Sequence, residues 1–348
     1  MRRYLIVGMG AAGIAAAQAI RSRDPHAKIV LVSEERDGYY SRPGLAYYLT
    51  GELPEKLLHP FTGADFRRES LRRIHARAAQ VSPKEHIVTL EDGQRVSYDR
   101  LLIAVGASAF RPPIPGGDLN GVVKLDTLDD AREIIKIARW GRAAVVVGGG
   151  ITALEIVEGL HTRGARTHYF LRRDRYWGNV LDETESRIVE HRLREEGVRI
   201  HYRTELEKIM GKRGRVVGVW TKDGRQIKCR IVAIAIGVRP RLELAKSAGL
   251  RCERGILVNK FMESSAADIF AAGDVAQVFD PLTGAHAIDS LWWVARNQGR
   301  AAGLNMTGMQ IPYRKQVPFN VTRLAGLTTT IIGTVGRGVD KDLVGIAR

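Results

Sequence analysis

Arg3-Tyr4-Leu5-Ile6-Val7 runs directly into Gly8-Met9-Gly10-Ala11-Ala12-Gly13, and an alanine-rich stretch follows. An apolar strand, a G-x-G-x-x-G turn and a helix, in that order, are the context in which a glycine pattern acquires meaning. Gly8 permits the tight turn, Gly10 leaves the backbone open to a pyrophosphate, and Gly13 lets helix and strand pack closely. An anion placed there meets unpaired N–H groups and the positive end of the helix dipole. Lys28–Val32 reads as the next strand. Glu34 and Glu35 then stand roughly 20 residues beyond the turn, where a carboxylate accepts hydrogen bonds from ribose hydroxyls and repels a 2′-phosphate. Strand, turn, helix, spacing and acid together predict a dinucleotide-binding fold rather than a chain merely turning on glycines.

A second copy begins at Ala143. The run 143–147 (AAVVV) leads into Gly148-Gly149-Gly150-Ile151-Thr152-Ala153, a helical stretch Leu154–Arg163 and a strand-like run Thr167–Leu171. Each copy later carries an Asp-Gly hairpin signal between alternating strands, Asp92-Gly93 and Asp223-Gly224. Each closes on an apolar strand ending in a small residue and glycine. These are LLIAVG at 101–106, with Ala104 and Gly106, and VAIAIG at 232–237, ending in Gly237. Two nucleotide-binding folds of one plan are the economical explanation of such a repeat.

Loops mark the boundaries. RPPIPGG at 111–117 reads as a stiff connection out of the first fold, and Arg239-Pro240 ends the second. A buried-type strand follows at 269–274 (IFAAGD), then a helical stretch Leu291–Leu304 and, from about Pro318, strand-like runs that include Thr328–Ile332. The expected architecture is α/β. Residues 1–112 and 246–311 are expected to form one Rossmann-like domain and 113–245 another, with 312–348 a short α+β segment after both.

The second fingerprint differs from the first where the nucleotide is chosen. Its third small position is Ala153, and its acid position falls on Leu171, with Arg172, Arg173 and Arg175 following. Without a carboxylate the discrimination against a 2′-phosphate is gone, and guanidinium groups suit a phosphate's bidentate geometry. This pattern favours NADPH over NADH.

A formal net charge of +16 calls for an acidic partner, an anionic surface or simply a solvated Arg-rich exterior. The basic residues are scattered, and zinc-finger spacing and the aromatic-basic pattern of RNA modules are both missing, so nucleic acid is not expected. There is no run of 18 apolar residues, which argues against a membrane span. The opening Met1-Arg2-Arg3 gives way to glycines too quickly for a secretory signal, so a cytoplasmic protein is expected. Cys229 and Cys252 show neither metal-ligand nor C-x-x-C spacing, and Cys229 reads as buried packing. Nothing in the sequence specifies a homo-oligomer.

With both fingerprints read, the chain resembles the FAD-dependent pyridine nucleotide-disulfide oxidoreductases, within them the ferredoxin, rubredoxin and nitrite reductase flavoprotein branch. The resemblance rests on GMGAAG (8–13), VSEER (32–36), YYSRPGL (39–45), LLIAVGA (101–107), VVVGGGITALE (145–155), AIAIGVRP (233–240) and IFAAGDVA (269–276). It implies that Asp274 hydrogen-bonds the flavin's ribityl chain with Gly273 beside it in the cofactor site, that Arg42 reaches the FAD, that Glu155 lies near the nicotinamide, and that 312–348 begin a C-terminal interface domain, here short and incomplete. WWVARNQG (292–299) is similar to the aromatic segment beside the flavin, which places Trp292 near the isoalloxazine.

Departures from the family pattern matter equally. Relatives that use a thiol carry a redox cysteine just after the flavin strand or near the R-P-G-L position; here Ser41-Arg42-Pro43-Gly44 contains none. Tyr47 and Ser290 replace a lysine and a glutamate of the ferredoxin-reductase branch, and Ile151 stands where an aromatic gate is common. The expected function is electron transfer between NAD(P)H and a protein or small acceptor without a redox disulfide, with an acidic electron-transfer protein or a larger complex as the candidate partner. The alternative is an FAD-binding docking subunit whose nicotinamide site is degenerate, an idea motivated by Ile151, Ala153 and Leu171.

Overall fold

The computed structural model describes residues 1–333. The chain divides into two compact units. Residues 1–41, 59–108 and 240–316 make the first; residues 42–58, 109–239 and the chain from 317 make the second.

Each unit holds one five-stranded parallel sheet. The strands are β1 (Arg3–Val7), β2 (Lys28–Ser33), β3 (Leu71–His75), β4 (Arg100–Ile103), β5 (Val122–Val123), β6 (Ala143–Val147), β7 (Arg166–Phe170), β8 (Arg199–His201), β9 (Ile231–Ile234) and β10 (Ile269–Ala271). The first sheet runs β10-β4-β1-β2-β3 and the second runs β5-β9-β6-β7-β8, so the two match position by position. The duplication read from the sequence is therefore a duplication of topology. The fifth strand breaks the symmetry. In the first sheet it comes from the C-terminal part of the chain, and in the second from the segment preceding the fold.

The strand sequences explain the sheets. Leu101, Leu102 and Ile103 of β4, Val145 and Val146 of β6, and Ile231, Val232 and Ala233 of β9 are fully buried. Continuous apolar runs of this kind belong to parallel strands covered on both faces. The apolar runs expected at 101–106 and 232–237 leave the sheet early, at Ile103 and Ile234. Gly106 (φ +69°) and Gly237 (φ +118°) then turn the chain into the left-handed region, which glycine tolerates without cost.

Four helices matter for the sites: α1 (Ala11–Arg23), α2 (Ile151–Thr162), α3 (Glu183–Glu195) and α4 (Trp292–Met306). Helix α2 starts at Ile151, three residues before the stretch its apolar pattern marks, because Gly150 takes the N-cap as Gly10 does for α1. Helices α1 and α4 touch backbone to backbone. A Cβ on Gly299 would lie 2.1 Å from the Ala12 carbonyl oxygen, and one on Gly303 would lie 2.5 Å from that of Ala16. Each unit also carries an antiparallel three-stranded meander whose second turn is the expected Asp-Gly hairpin: residues 78–97 in the first, 206–227 in the second.

Of the interface domain expected over 312–348, the described residues contain one antiparallel hairpin, Phe319–Leu324 with Leu327–Ile332. Residues 334–348 lie outside the described part. Among the described residues, no helix is long and apolar enough to cross a membrane.

Candidate dinucleotide sites

The glycines of the first loop serve different masters. A Cβ on Gly8, whose φ is +110°, would lie 2.1 Å from the Ala104 carbonyl oxygen; one on Gly13 would lie 2.0 Å from the Gly8 carbonyl oxygen. The fold itself forbids side chains at both. At Gly10 a Cβ would have nothing within 4 Å, so the protein alone does not demand glycine there. Gly10 caps α1 with no side-chain capping bond and no acid in the first turn. The free N–H groups and the open space above Gly10 fit a pyrophosphate.

Around this loop the first unit assembles the rest of a cradle. Glu34 follows β2 and is exposed; its Oε1 accepts a hydrogen bond from Arg241 Nη1 at 2.7 Å, and Arg77 Nε lies 3.8 Å from its Oε2. The Arg241 main-chain N–H donates to the Gly106 carbonyl at 3.0 Å, so this residue ties the acid of β2 to the turn after β4. Glu35 accepts from Tyr40 Oη at 2.5 Å. Gly273 (φ +80°) donates its N–H to Gln298 Oε1 at 2.8 Å, and a Cβ there would come within 3.2 Å of the Ala12 methyl. Asp274 follows it, half-buried. Trp292 opens α4, is 43% exposed, and carries the Arg296 guanidinium 5.0 Å from its ring centroid. Nearby in sequence, Asp289 pairs with the buried Lys315 at 3.4 Å, and Lys315 Nζ reaches Asp280 at 2.9 Å.

In the second unit, a Cβ on Gly148 (φ +152°) would lie 2.1 Å from the Ala235 carbonyl oxygen, the counterpart of Gly8 over Ala104. Among the described residues and apart from the adjacent backbone, a Cβ on Gly149 would meet nothing within 4 Å and one on Gly150 would meet Trp177 Nε1 at 3.9 Å. Helix α2, like α1, has no side-chain cap and no acid in its first turn. Leu171 is 1% exposed, its main chain bonded to His201 and Thr204, so the acid position of the first copy is here a core side chain. Arg172 and Arg173, immediately after it, are exposed. Glu155 sits in the middle of α2, half-buried; burial first, then the charge of Glu158, pushes its carboxyl up to about 8. Glu158 is pushed up to about 7, again chiefly by burial, against a lowering hydrogen bond from the Gly326 main chain.

The structure thus brings Gly8, Gly10, Ala12, Gly13, Glu34, Glu35, Ala104, Gly106, Gly273, Asp274 and Trp292 into one unit. Gly148, Gly150, Glu155, Leu171, Arg172, Arg173 and Gly237 fall in the other. Arg42 groups with the second unit and hydrogen-bonds the Asp126 carbonyl oxygen there. Sequence reasoning missed Arg241 and Gln298. Gln298 lay in plain view inside the NQG segment. Arg241 meets Glu34, 207 positions away, and left no local mark.

The family described as Pyridine nucleotide-disulphide oxidoreductase matches residues 2–299. An NADH oxidase of Methanocaldococcus jannaschii is 32% identical over 93% of this chain and 74% of its own length. The 3-phenylpropionate/cinnamic acid dioxygenase ferredoxin–NAD(+) reductase component of Photorhabdus laumondii is 30% identical over 95% of this chain and 84% of its own. Among solved structures, the covalent putidaredoxin reductase–putidaredoxin complex superposes with a TM-score of 0.90 at 26% identity, over 95% of this chain and 81% of that one.

Proposed function

Because the chain belongs to the pyridine nucleotide-disulphide oxidoreductase family, we propose that it passes electrons from NADPH, by way of FAD, to a small acidic electron-carrier protein. It is an oxidoreductase that uses FAD and a nicotinamide nucleotide. Bound FAD supplies hydride acceptance and one-electron release. The chain's own residues hold and orient it: α1's free N–H groups and Gly10 at the pyrophosphate, the Glu34–Arg241 pair at the adenosine ribose, and Asp274 toward the ribityl chain.

The observation that carries this reading is the pairing of two nucleotide loops with no reactive thiol. Pro43 and its neighbours offer none. Cys229 is buried and its thiol is pushed up to about 12 by that burial; burial also raises Cys252. Thiolate chemistry needs the opposite shift. Neither cysteine is therefore suited to relay electrons, which fits an acceptor that takes them without a thiol intermediate. The +16 net charge supports an acidic partner, and of the similar proteins named above one is a ferredoxin–NAD(+) reductase component and another is a reductase in covalent complex with putidaredoxin. Buried Leu171 with exposed Arg172 and Arg173 supports NADPH.

Steady-state reduction of an acidic ferredoxin and of rubredoxin, with NADPH and with NADH, tests this. The expected result is faster turnover with NADPH and a rate that falls steeply with added salt. Flavin reduction with no electron passed to either carrier would overturn the acceptor class. No flavin reduction by either nucleotide would put the docking-subunit reading ahead.

A further inference from the structure

Trp177 has a backbone that tryptophan rarely adopts. Its φ is +46°, in the left-handed region where a bulky residue is an outlier. The neighbouring Gly178 could have taken that conformation without cost, yet its φ is not positive. Strain of this kind persists only where the surroundings over-determine it, and it gathers at ligand clamps.

The surroundings here are explicit. The Trp177 N–H donates to the Gly149 carbonyl at 3.0 Å, inside the second glycine loop. One residue earlier, the Tyr176 N–H donates to Glu190 Oε1 at 2.7 Å, and the Tyr176 carbonyl accepts from Ser186 Oγ at 2.8 Å, both residues on α3. Glu190 is 4% exposed and also accepts from Tyr202 Oη at 2.6 Å, with Arg194 at 3.5 Å. A buried carboxylate is costly unless so satisfied, which makes it a firm anchor once it is. The Tyr176-Trp177 segment is thereby fastened to α3 on one side and to the glycine loop on the other.

The fastening directs the indole. Among the described residues and apart from the adjacent backbone, the atom that a Cβ on Gly150 would meet within 4 Å is Trp177 Nε1, at 3.9 Å. The side chain keeps part of its surface exposed. Its one hydrogen-bond donor therefore borders the open space above Gly149 and Gly150, at the N-terminus of α2, where a dinucleotide's phosphates would approach.

We propose that Trp177 is a nucleotide-binding residue whose indole N–H donates to the pyrophosphate of NAD(P)H, with Glu190 as the residue that positions it. The inference rests on the reading that the second glycine loop holds the nicotinamide nucleotide. It separates two jobs within one loop. The pyrophosphate is common to NADH and NADPH, so Trp177 adds affinity without selectivity, whereas Arg172 and Arg173 face the part that differs.

Calorimetric titration of the FAD-loaded full chain with NADP+ and, separately, NAD+ tests it. W177F keeps a ring and loses the donor. Both dissociation constants should rise by the same factor, about two- to tenfold, the range of one net hydrogen bond. Quenching of tryptophan emission by bound NADP+ should shrink in the same variant. W177L should behave as W177F does, and W177H, which returns a ring N–H, should recover part of the affinity. FAD content and melting temperature confirm that each variant is folded. Unchanged dissociation constants in both donor-less variants overturn the proposal, and so does a loss confined to NADP+. If wild-type protein binds neither nucleotide, the reading of the second loop has failed instead, which is a distinct result.

Discussion

In the first unit, helix α1 closes on β1 through Gly13, where a Cβ would sit 2.0 Å from the Gly8 carbonyl oxygen. In the second unit, the same position is Ala153, whose methyl lies 2.9 Å from where a Cβ on Gly148 would be. Past the second strand the first unit offers Glu34, neutralised by Arg241; the second buries Leu171 and exposes two arginines. One topology thus presents two recognition chemistries. Under the proposed function, the shared strand order places a dinucleotide in each unit, and the side chains after the second strand distinguish the two nucleotides.

Exchanging the closing residues of the two loops should have the largest effect. G13A should force a backbone shift, costing about 1–3 kcal/mol or more as an overpacked site, and should empty the first unit of FAD. A153G should cost only about 0.5–1 kcal/mol, the ordinary price of glycine inside a helix, and leave flavin content intact. Flavin absorbance and melting temperature read both. Equal effects would mean that the two loops are not built as described.

Next in size is G10V. Open space surrounds Gly10, so the chain should fold and melt near wild type while failing to take up FAD, because the valine occupies the pyrophosphate's approach. A variant that both folds and turns yellow would contradict the assignment of that space.

A smaller effect separates the units by pH. Glu155 and Glu158 have folded-state values of about 8 and about 7, against an unperturbed carboxyl near 4.3. Between these values the folded chain binds more protons than the unfolded one, so stability declines as pH rises from about 5 to 8. Tyr169 and Tyr176 lie within electrostatic reach of the pair, with Glu196, Glu52 and Arg323. E155Q should flatten that decline in a melting series across pH; an unchanged slope would show that Glu155 does not carry it.

Much of this was legible in the sequence, for a physical reason. Glycine fingerprints encode backbone geometry locally, and Gly8, Gly13 and Gly148 must be glycine whatever binds. The matching sheets followed from matched apolar runs. What stayed hidden was non-local. The two-residue strand β5 is too short to show a period. Residues 42–58 group with the second unit through contacts that no pattern announces. Arg241 finds its partner 207 positions away.

The smallest effect concerns selectivity. R172A combined with R173A should weaken NADPH about tenfold, the worth of one charge-assisted hydrogen bond after desolvation, and NADH little. Equal weakening of both would reduce the arginines to general electrostatics.

Anaerobic rapid mixing of the C229S/C252S double variant with NADPH shows whether the nicotinamide nucleotide reduces the flavin without a thiol. The flavin should bleach at a rate within a few-fold of wild type; loss of bleaching in the double variant, with FAD still bound, would mean that a thiol takes part.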